Sequence, residues 1–371
     1  MSRNGLTFYE FFAGGGMARL GLGAGWACAF ANDFDRVKAA AYRANFADAV
    51  HHLRQGDVWG LTPETLPGRA DLAWASSPCQ DFSLAGARAG LGGGRSSAFF
   101  GFWSLMRALN AEGRAPRTVV VENVVGLLTS HGGADFTALA QALADEGYRF
   151  GALEIDAAAF TPQSRPRVFI VATREPPPAV LIGTGPFQTP AVLAARDRLP
   201  AGLRSHWIDW RLPPPPARNT ALADLLEPDD AVAWRSEAQT GALLAQMAPL
   251  HRRRLDAAGP GRCVAAVFRR TRAGVPRAEI RLDGAAGCLR TPRGGSSRQM
   301  LIVAEGGQIR SRLLTGREGA RLMGLADDYI LPPSQTGALQ VVGDGVAVPV
   351  VRWLAEHLLE PLLAGSARAA A

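Results

Sequence analysis

The sequence predicts an α/β protein with a doubly wound sheet in its first half and a second, smaller, irregular domain. Three observations carry that expectation. Short apolar strands alternate with helical patterns as far as Arg174, the rhythm of a parallel sheet covered by helices on both faces. One strand runs into the glycine turn of "FFAGGGMARLG" (11–21) and opens a helix, as α/β folds do where they receive nucleotide-like ligands. The chain's 371 residues exceed what one hydrophobic core usually supports.

In chain order, "LTFYEFF" (6–12) reads as a strand, "GGGMARLGLGAG" (14–25) as a turn entering a helix, and "WACAFAND" (26–33) as the next strand. "VKAAAYRANF" (37–46) is helical, "ADLAWASS" (70–77) a strand, "GFWSLMRALNAEG" (101–113) a helix and "RTVVVENV" (117–124) a strand. "DFTALAQALADEGY" (135–148) is a further helix, and "GALEIDAAAF" (151–160) and "RPRVFIVATR" (165–174) are further strands. Two proline-rich stretches, "REPPPAVLIGTGPFQTP" (174–190) and "RLPPPPARN" (211–219), then read as connectors. From Phe187 to about Ala304 the pattern is irregular and rich in arginine; helical periodicity returns in "LLTGREGARLMGL" and "VPVVRWLAEHLLEPLL". The expected domains are therefore 1–186, 187–305 and a C-terminal segment, 306–371, that rejoins the first.

The formal net charge is +7 and the sequence pI about 9.9, which points broadly toward a polyanionic partner. Lys38 is the sole lysine, so the basic side chains are almost all arginine, whose forked donors suit phosphate and guanine edges. Cys28, Cys79, Cys263 and Cys288 have no zinc or disulfide spacing, and no metal site is expected. No N-terminal segment has the order of a signal peptide, and no uninterrupted apolar run is expected to span a bilayer. A cytoplasmic location follows.

Chemistry concentrates in short motifs. Beyond the glycine turn, the second strand ends in "NDFD", which places Asp33 about 20 residues on, the offset at which such folds bind a ribose hydroxyl. On sequence alone, Asp33 serves equally well as the cap of the next helix. Phe34 offers an aromatic face for adenine, and Asp57 in "QGDVWG" is either an adenine-edge contact or a turn residue. Cys79, in "ASSPCQDFSLAG", follows Pro78 at the mouth of a strand rather than sitting inside an apolar run, so its thiol is presented rather than packed. "VVVENVVGLL" delivers Glu122 to the C-terminal end of a strand, where open α/β sheets keep their sites.

Taken in order, these pieces resemble the DNA cytosine-C5 methyltransferase family of bacterial restriction–modification type. The motifs are Phe12-x-Gly14-x-Gly16, Asp33, Pro78-Cys79-Gln80, Glu122-Asn123-Val124 and Gln163-x-Arg165-x-Arg167, followed by "RLLTGREGARLMGLADDY" and "QVVGDGVAVPVVRWL". The resemblance implies a Rossmann-like, S-adenosylmethionine-dependent methyltransferase fold whose irregular domain recognises the target. It implies that Cys79 attacks C6 of a flipped-out cytosine, making C5 nucleophilic toward the methyl group of S-adenosyl-L-methionine, with S-adenosyl-L-homocysteine as product. Glu122 would act at ring N3, Arg167 would favour the thiolate, and Arg165 and Gln80 complete the implied catalytic set. The cofactor would be held by Phe12, Ala13, Gly14, Gly15, Gly16, Asp33, Phe34, Asp57, Val58, Pro78, Asp344 and Val346. Ser83, Arg88 and Arg95, in a glycine-rich lid after Cys79, would contact DNA together with Arg269, Arg270, Arg272, Arg290, Arg293 and Gln299. The implied partner is double-stranded DNA bound by a monomer on the bacterial nucleoid, with a cognate restriction endonuclease acting on the same site without an obligate complex.

Three positions depart from the family pattern: Met17 replaces a glycine, Ala326 a proline, and Asp344 an asparagine, the last exchanging an amide donor for a carboxylate. Three other readings remain. A tRNA cytosine-C5 methyltransferase shares the motifs. A catalytically silent DNA-binding homologue would keep the fold, against which stand Cys79 and Glu122. A Rossmann oxidoreductase would need a glycine where Arg19 stands.

Overall fold

A computed structural model describes residues 5–78, 98–257, 259–272, 274–291 and 298–369, with the side chains of Arg272 and 365–369 left aside. It divides the chain into two compact units: Met1–Asp156 with Pro166–Pro215 and Val348–Ala371, and Ala157–Arg165 with Pro216–Ala347. These boundaries differ from the expected linear ones. The expected split at 187 falls inside the first unit, because the stretch after Thr173 still pairs with that unit's edge: Phe150 N–H donates to His206 O and Ile208 N–H to Phe150 O.

The first unit is built on seven strands: β1 (Leu6–Phe11), β2 (Trp26–Asp33), β3 (Leu53–Gln55), β4 (Leu72–Ala75), β5 (Thr118–Val124), β6 (Arg149–Asp156) and β7 (Pro166–Thr173). They lie in the order β3-β2-β1-β4-β5-β7-β6. The outward step from β1 to β2 and β3 on one side, and to β4 and β5 on the other, places a topological switch point at β1, where α/β sheets bind ligands. The valine run of β5 is buried throughout except at Val124, as expected for a strand covered on both faces. Phe30 and Ala31, adjacent on β2, enter different cores. Phe30 packs with Tyr9, Phe11, Phe102, Val121 and Leu139, and Ala31 with Ala13, Ala39 and Tyr42. Alternation along one strand therefore buries both faces.

The sheet is not all parallel. β7 runs antiparallel to both β5 and β6, because the link Ala157–Arg165 is too short for the crossover that parallel neighbours need.

The second unit is more regular than expected. β8 (Cys263–Arg272), β9 (Val275–Arg281), β10 (Met300–Glu305) and β11 (Gln308–Leu313) form an antiparallel sheet in the order β11-β10-β8-β9. Its core joins Ala265, Val267, Ala278, Ile280, Met300 and Ile302 to Leu243, Met247 and Leu255 from two helices. Capping boxes at Ser236/Gln239 and Thr315/Glu318 start two of this unit's helices.

By length and composition Gln335–Ala364 is apolar enough to cross a membrane, with a mean hydropathy of 1.3, yet Asp344, Arg352, Glu356 and Glu360 interrupt it. It is broken at 345–347, and 67% of that window is buried in the protein, as in a core helix.

Candidate active site

At the end of β1 the backbone turns left-handed at Phe12 (φ 58°), Gly14 (φ 58°) and Gly16 (φ 81°). A non-glycine residue in that region is strained and persists only when its surroundings fix it. The two glycines serve different ends. A Cβ at Gly16 would lie 2.2 Å from the Phe46 ring, whereas one at Gly14 would meet nothing within 4 Å among the described residues. Gly16 lets the helix Met17–Leu22 pack closely, and Gly14 leaves open space beside the turn. Met17 is buried at the start of that helix.

Asp33 closes the turn. One carboxylate oxygen accepts Gly14 N–H at 2.7 Å and the other accepts Asp35 N–H at 2.7 Å. Burial pushes its carboxyl above the usual carboxylate range, against the lowering effect of Lys38 and these N–H donors. The helix Arg36–Asn45 is capped by Asp35, which accepts from Val37 and Lys38 N–H, so Asp33 is not spent as a cap. Beside it Phe34 is 73% exposed, unusual for a phenylalanine following a strand end. Asp57 caps the turn Val58–Gly60 through Trp59 N–H at 3.0 Å, and Val58 is buried behind it. The turn role is what the structure displays for Asp57.

Next in the sheet, β4 ends at Ala75, opposite Val121 of β5, and the described chain runs on to Pro78. Cys79, Gln80, Ser83, Arg88 and Arg95 lie outside the described residues. Asn123 ties the two strand ends together: its side-chain amide donates to Ser77 O at 2.9 Å and to Ser77 Oγ at 3.3 Å. Glu122 is 7% exposed and its Oε1 is 3.2 Å from Arg167 Nε, on the neighbouring β7. A buried carboxylate is thus held against a guanidinium within two residues of the link to Ser77.

Arg165 differs from its expected catalytic role. Its Nη1 donates to Leu289 O at 3.0 Å and approaches Cys288 Sγ at 3.4 Å, and its Nη2 donates to Gly343 O at 2.8 Å and Gly345 O at 2.6 Å. Only 2% exposed, it is a clamp on backbone carbonyls. Gln163 works alike, donating to Leu322 O at 3.0 Å and accepting Leu289 N–H at 3.0 Å. Arg165 therefore holds the end of the helix Gln335–Asp344, with Val346 buried just beyond. Asp344, exposed, accepts from the Thr291 hydroxyl. Gly343 sits under them because a Cβ there would be 2.9 Å from the Thr291 nitrogen.

On the second unit's hairpin, Arg269 and Arg270 are exposed, and Arg290 is exposed beyond it. Arg270 faces Arg277 directly across β8 and β9, although like charges in that position oppose each other; Glu279 lies 3.8 Å from Arg270. Arg277 is an addition that sequence reading did not single out, and the signal for it is register rather than motif. Gln299 departs from the expected DNA contact: its amide N–H groups are committed to Val267 O at 2.8 Å and Met300 O at 3.2 Å. Arg272 forms the last pair of the ladder, opposite Val275, and Arg293 lies outside the described residues. Among the described residues no group of three or more His, Cys, Asp or Glu side chains could hold a metal.

A family model for C-5 cytosine-specific DNA methylase matches residues 6–360. The chain belongs to this family. As a C-5 cytosine-specific DNA methylase it is similar to type II methyltransferase M.HhaI of Haemophilus parahaemolyticus. Identity is 26% over 364 residues, covering 95% of this chain and 94% of that one. It is likewise 26% identical over 367 residues to type II methyltransferase M.NlaX of Neisseria lactamica, with 97% and 98% covered. The fold of this methylase is also that of the crystal structure of S. pombe Dnmt2 methyltransferase, at a TM-score of 0.62 and 16% identity over 96% of this chain and 99% of that one.

Proposed function

We propose that this methylase transfers a methyl group from S-adenosyl-L-methionine to C5 of a cytosine flipped out of a specific duplex DNA sequence, through a covalent bond between Cys79 and C6. The observation that carries this reading is the Asn123–Ser77 link. It brings the Glu122–Arg167 pair to the strand end from which Pro78 leads into Cys79. The residues around the glycine turn fit the donor. Gly14 leaves room, Asp33 has lone pairs left for ribose hydroxyls, and exposed Phe34 offers a face for adenine. Ala13, Gly15, Asp57, Val58, Pro78, Asp344 and Val346 complete the set proposed to hold it. When bound, S-adenosyl-L-methionine supplies an electrophilic methyl on a sulfonium and leaves as S-adenosyl-L-homocysteine.

The chain's own residues supply the rest. The Cys79 thiolate forms the S–C6 bond, and the electron pair moves through the ring toward N3. Glu122 holds a proton at that atom, and Arg167 keeps the carboxyl group in place and lends positive charge. After C5 has taken the methyl group, its proton passes to a base and the C6–S bond breaks, restoring the thiolate. Asn123 orients the Cys79 loop. Arg165 positions the segment around Val346 rather than touching the base.

The second unit is proposed to recognise the target, with Arg269, Arg270, Arg272, Arg277, Arg290 and Arg293 on phosphates and bases. Ser83, Arg88 and Arg95 are proposed to close over the DNA from the Cys79 side. The type II names of the relatives support a place in a restriction–modification pair; action in the cytoplasm as a monomer is part of the same proposal. A duplex carrying 5-fluorocytosine tests the covalent step, because its C5 substituent cannot leave as a proton. With cofactor present it should trap the wild type in a denaturant-stable complex and leave Cys79→Ser free. A wild type that is never trapped would refute the covalent route.

A further inference from the structure

The second unit contains a cavity of about 780 Å³, whose lining includes none of the residues assigned above to catalysis, cofactor or DNA. It is lined by Trp234, Arg235, Gln239, Arg298, Thr315 and Gln335 among others, with Val232, Leu313 and Leu314 as an apolar floor. Its polar lining is rich in donors. Arg298 Nε is buried and has no hydrogen-bond partner among the described residues, a costly state for a charged group. Arg235 Nη1 donates to the Met300 sulfur, at 3.7 Å, a weak acceptor. Gln239 Oε1 takes Ser236 N–H at 3.1 Å, and Gln335 Oε1 takes Gly316 N–H at 2.7 Å, so the amide NH₂ ends remain as donors. The single acidic group in the lining, Glu227, already accepts from the Thr315 hydroxyl and so leaves the donors in excess.

Two guanidinium groups suit an oxyanion. The volume, within the range of about 300–1,000 Å³ typical of ligand pockets, leaves room for much more than a phosphate. The apolar floor suits a planar base, and the amides suit its edge. We propose that this cavity is a nucleotide site: it takes one unpaired nucleotide, with the phosphate on Arg235 and Arg298 and the base over Val232, Leu313 and Leu314. The nucleotide belongs either to a DNA strand or to the free pool, and the same chemistry recognises both. Only the first source rests on the reading of this chain as a DNA-modifying enzyme.

The probes are 2-aminopurine deoxyriboside 5′-monophosphate and a single-stranded oligonucleotide with one internal 2-aminopurine, each titrated with full-length protein and followed by fluorescence. Arg298→Gln should weaken binding ~10-fold or more. Ala233→Trp, at an exposed position on the rim, should plug the cavity and carries the test if Arg298→Gln fails to fold. The nucleoside lacking phosphate should not distinguish wild type from Arg298→Gln. Binding of the oligonucleotide alone assigns the site to DNA, and binding of both probes opens it to free nucleotides. No saturable binding, or binding equal in wild type and both variants, overturns the proposal. A protein that binds the probes yet never methylates DNA would keep this site and lose the proposed function.

Discussion

Glu10 sits on β1 just before the glycine turn, 1% exposed, with one oxygen on Arg19 N–H at 3.3 Å and the other buried without a partner among the described residues. Burial pushes its carboxyl up to about 8, with Asp33 nearby adding to the rise and Arg19 opposing it. The unfolded chain releases this proton near 4.5, whereas the folded chain keeps it to about 8. Stability from this group is therefore full at low pH and is lost as pH rises toward 8. Glu10→Gln should melt with the wild type at pH 5 and above it at pH 9, by an amount on the order of a few kcal/mol; parallel melting curves would contradict this. Asn123→Ala should lower kcat ~10–100-fold by releasing Ser77, with a stability loss of only about 1–3 kcal/mol. Steady-state kinetics beside a thermal melt would separate the two effects. The place of Glu122 near the end of β5 was legible because a valine run closed by an acid marks a strand end; its pairing with Arg167 was not. Arg165 was misread because its partners are backbone carbonyls at 289, 343 and 345, and a carbonyl leaves no mark in the residue alphabet.

The expected strands at 6–12, 26–33, 70–77 and 117–124 formed close to where they were read, since buried valine and aromatic runs allow little else, whereas the short β3 (Leu53–Gln55) was not read. The direction of β7 was not legible: a two-sided apolar run looks the same parallel or antiparallel, and only the shortness of Ala157–Arg165 decides it. The sheet β8–β11 was hidden for another reason. Alanine and arginine fill "CVAAVFRRTR", and buried Ser311 and Arg312 break the alternation of β11, so the strands lack the usual β-branched signature. The turn lets packing and ligand roles be separated. Gly16→Ala should cost about 1–3 kcal/mol from overpacking against Phe46, read by urea unfolding. Gly14→Ala meets no atom, so it should cost only the strain of its positive φ, while weakening cofactor binding measured by calorimetry.

At the scale of the molecule, two-domain organisation was legible from length and proline connectors, but the boundaries were not, because each unit is assembled from separated segments. The second unit is held by a buried pair, Arg312–Glu318, both 1% exposed and bonded twice, at 2.5 and 2.8 Å. Glu318 also accepts Glu227 N–H and Thr315 N–H, so Arg312→Met should destabilise by about 3–5 kcal/mol, leaving a buried charge unpaired. The Arg270–Arg277 opposition gains a purpose if a polyanion lies over it. Replacing either by glutamine should reduce the salt slope of duplex binding by ~1 without changing the methylated sequence. The central claim is methyl transfer to cytosine C5 through Cys79, and its most direct measurement uses labelled S-adenosylmethionine, mixed-sequence duplex DNA and sequencing of 5-methylcytosine, with Cys79→Ser in parallel. The account predicts methylation confined to one short motif and absent in the variant. Methylation that survives in Cys79→Ser, or that appears on tRNA and not on duplex DNA, would contradict it.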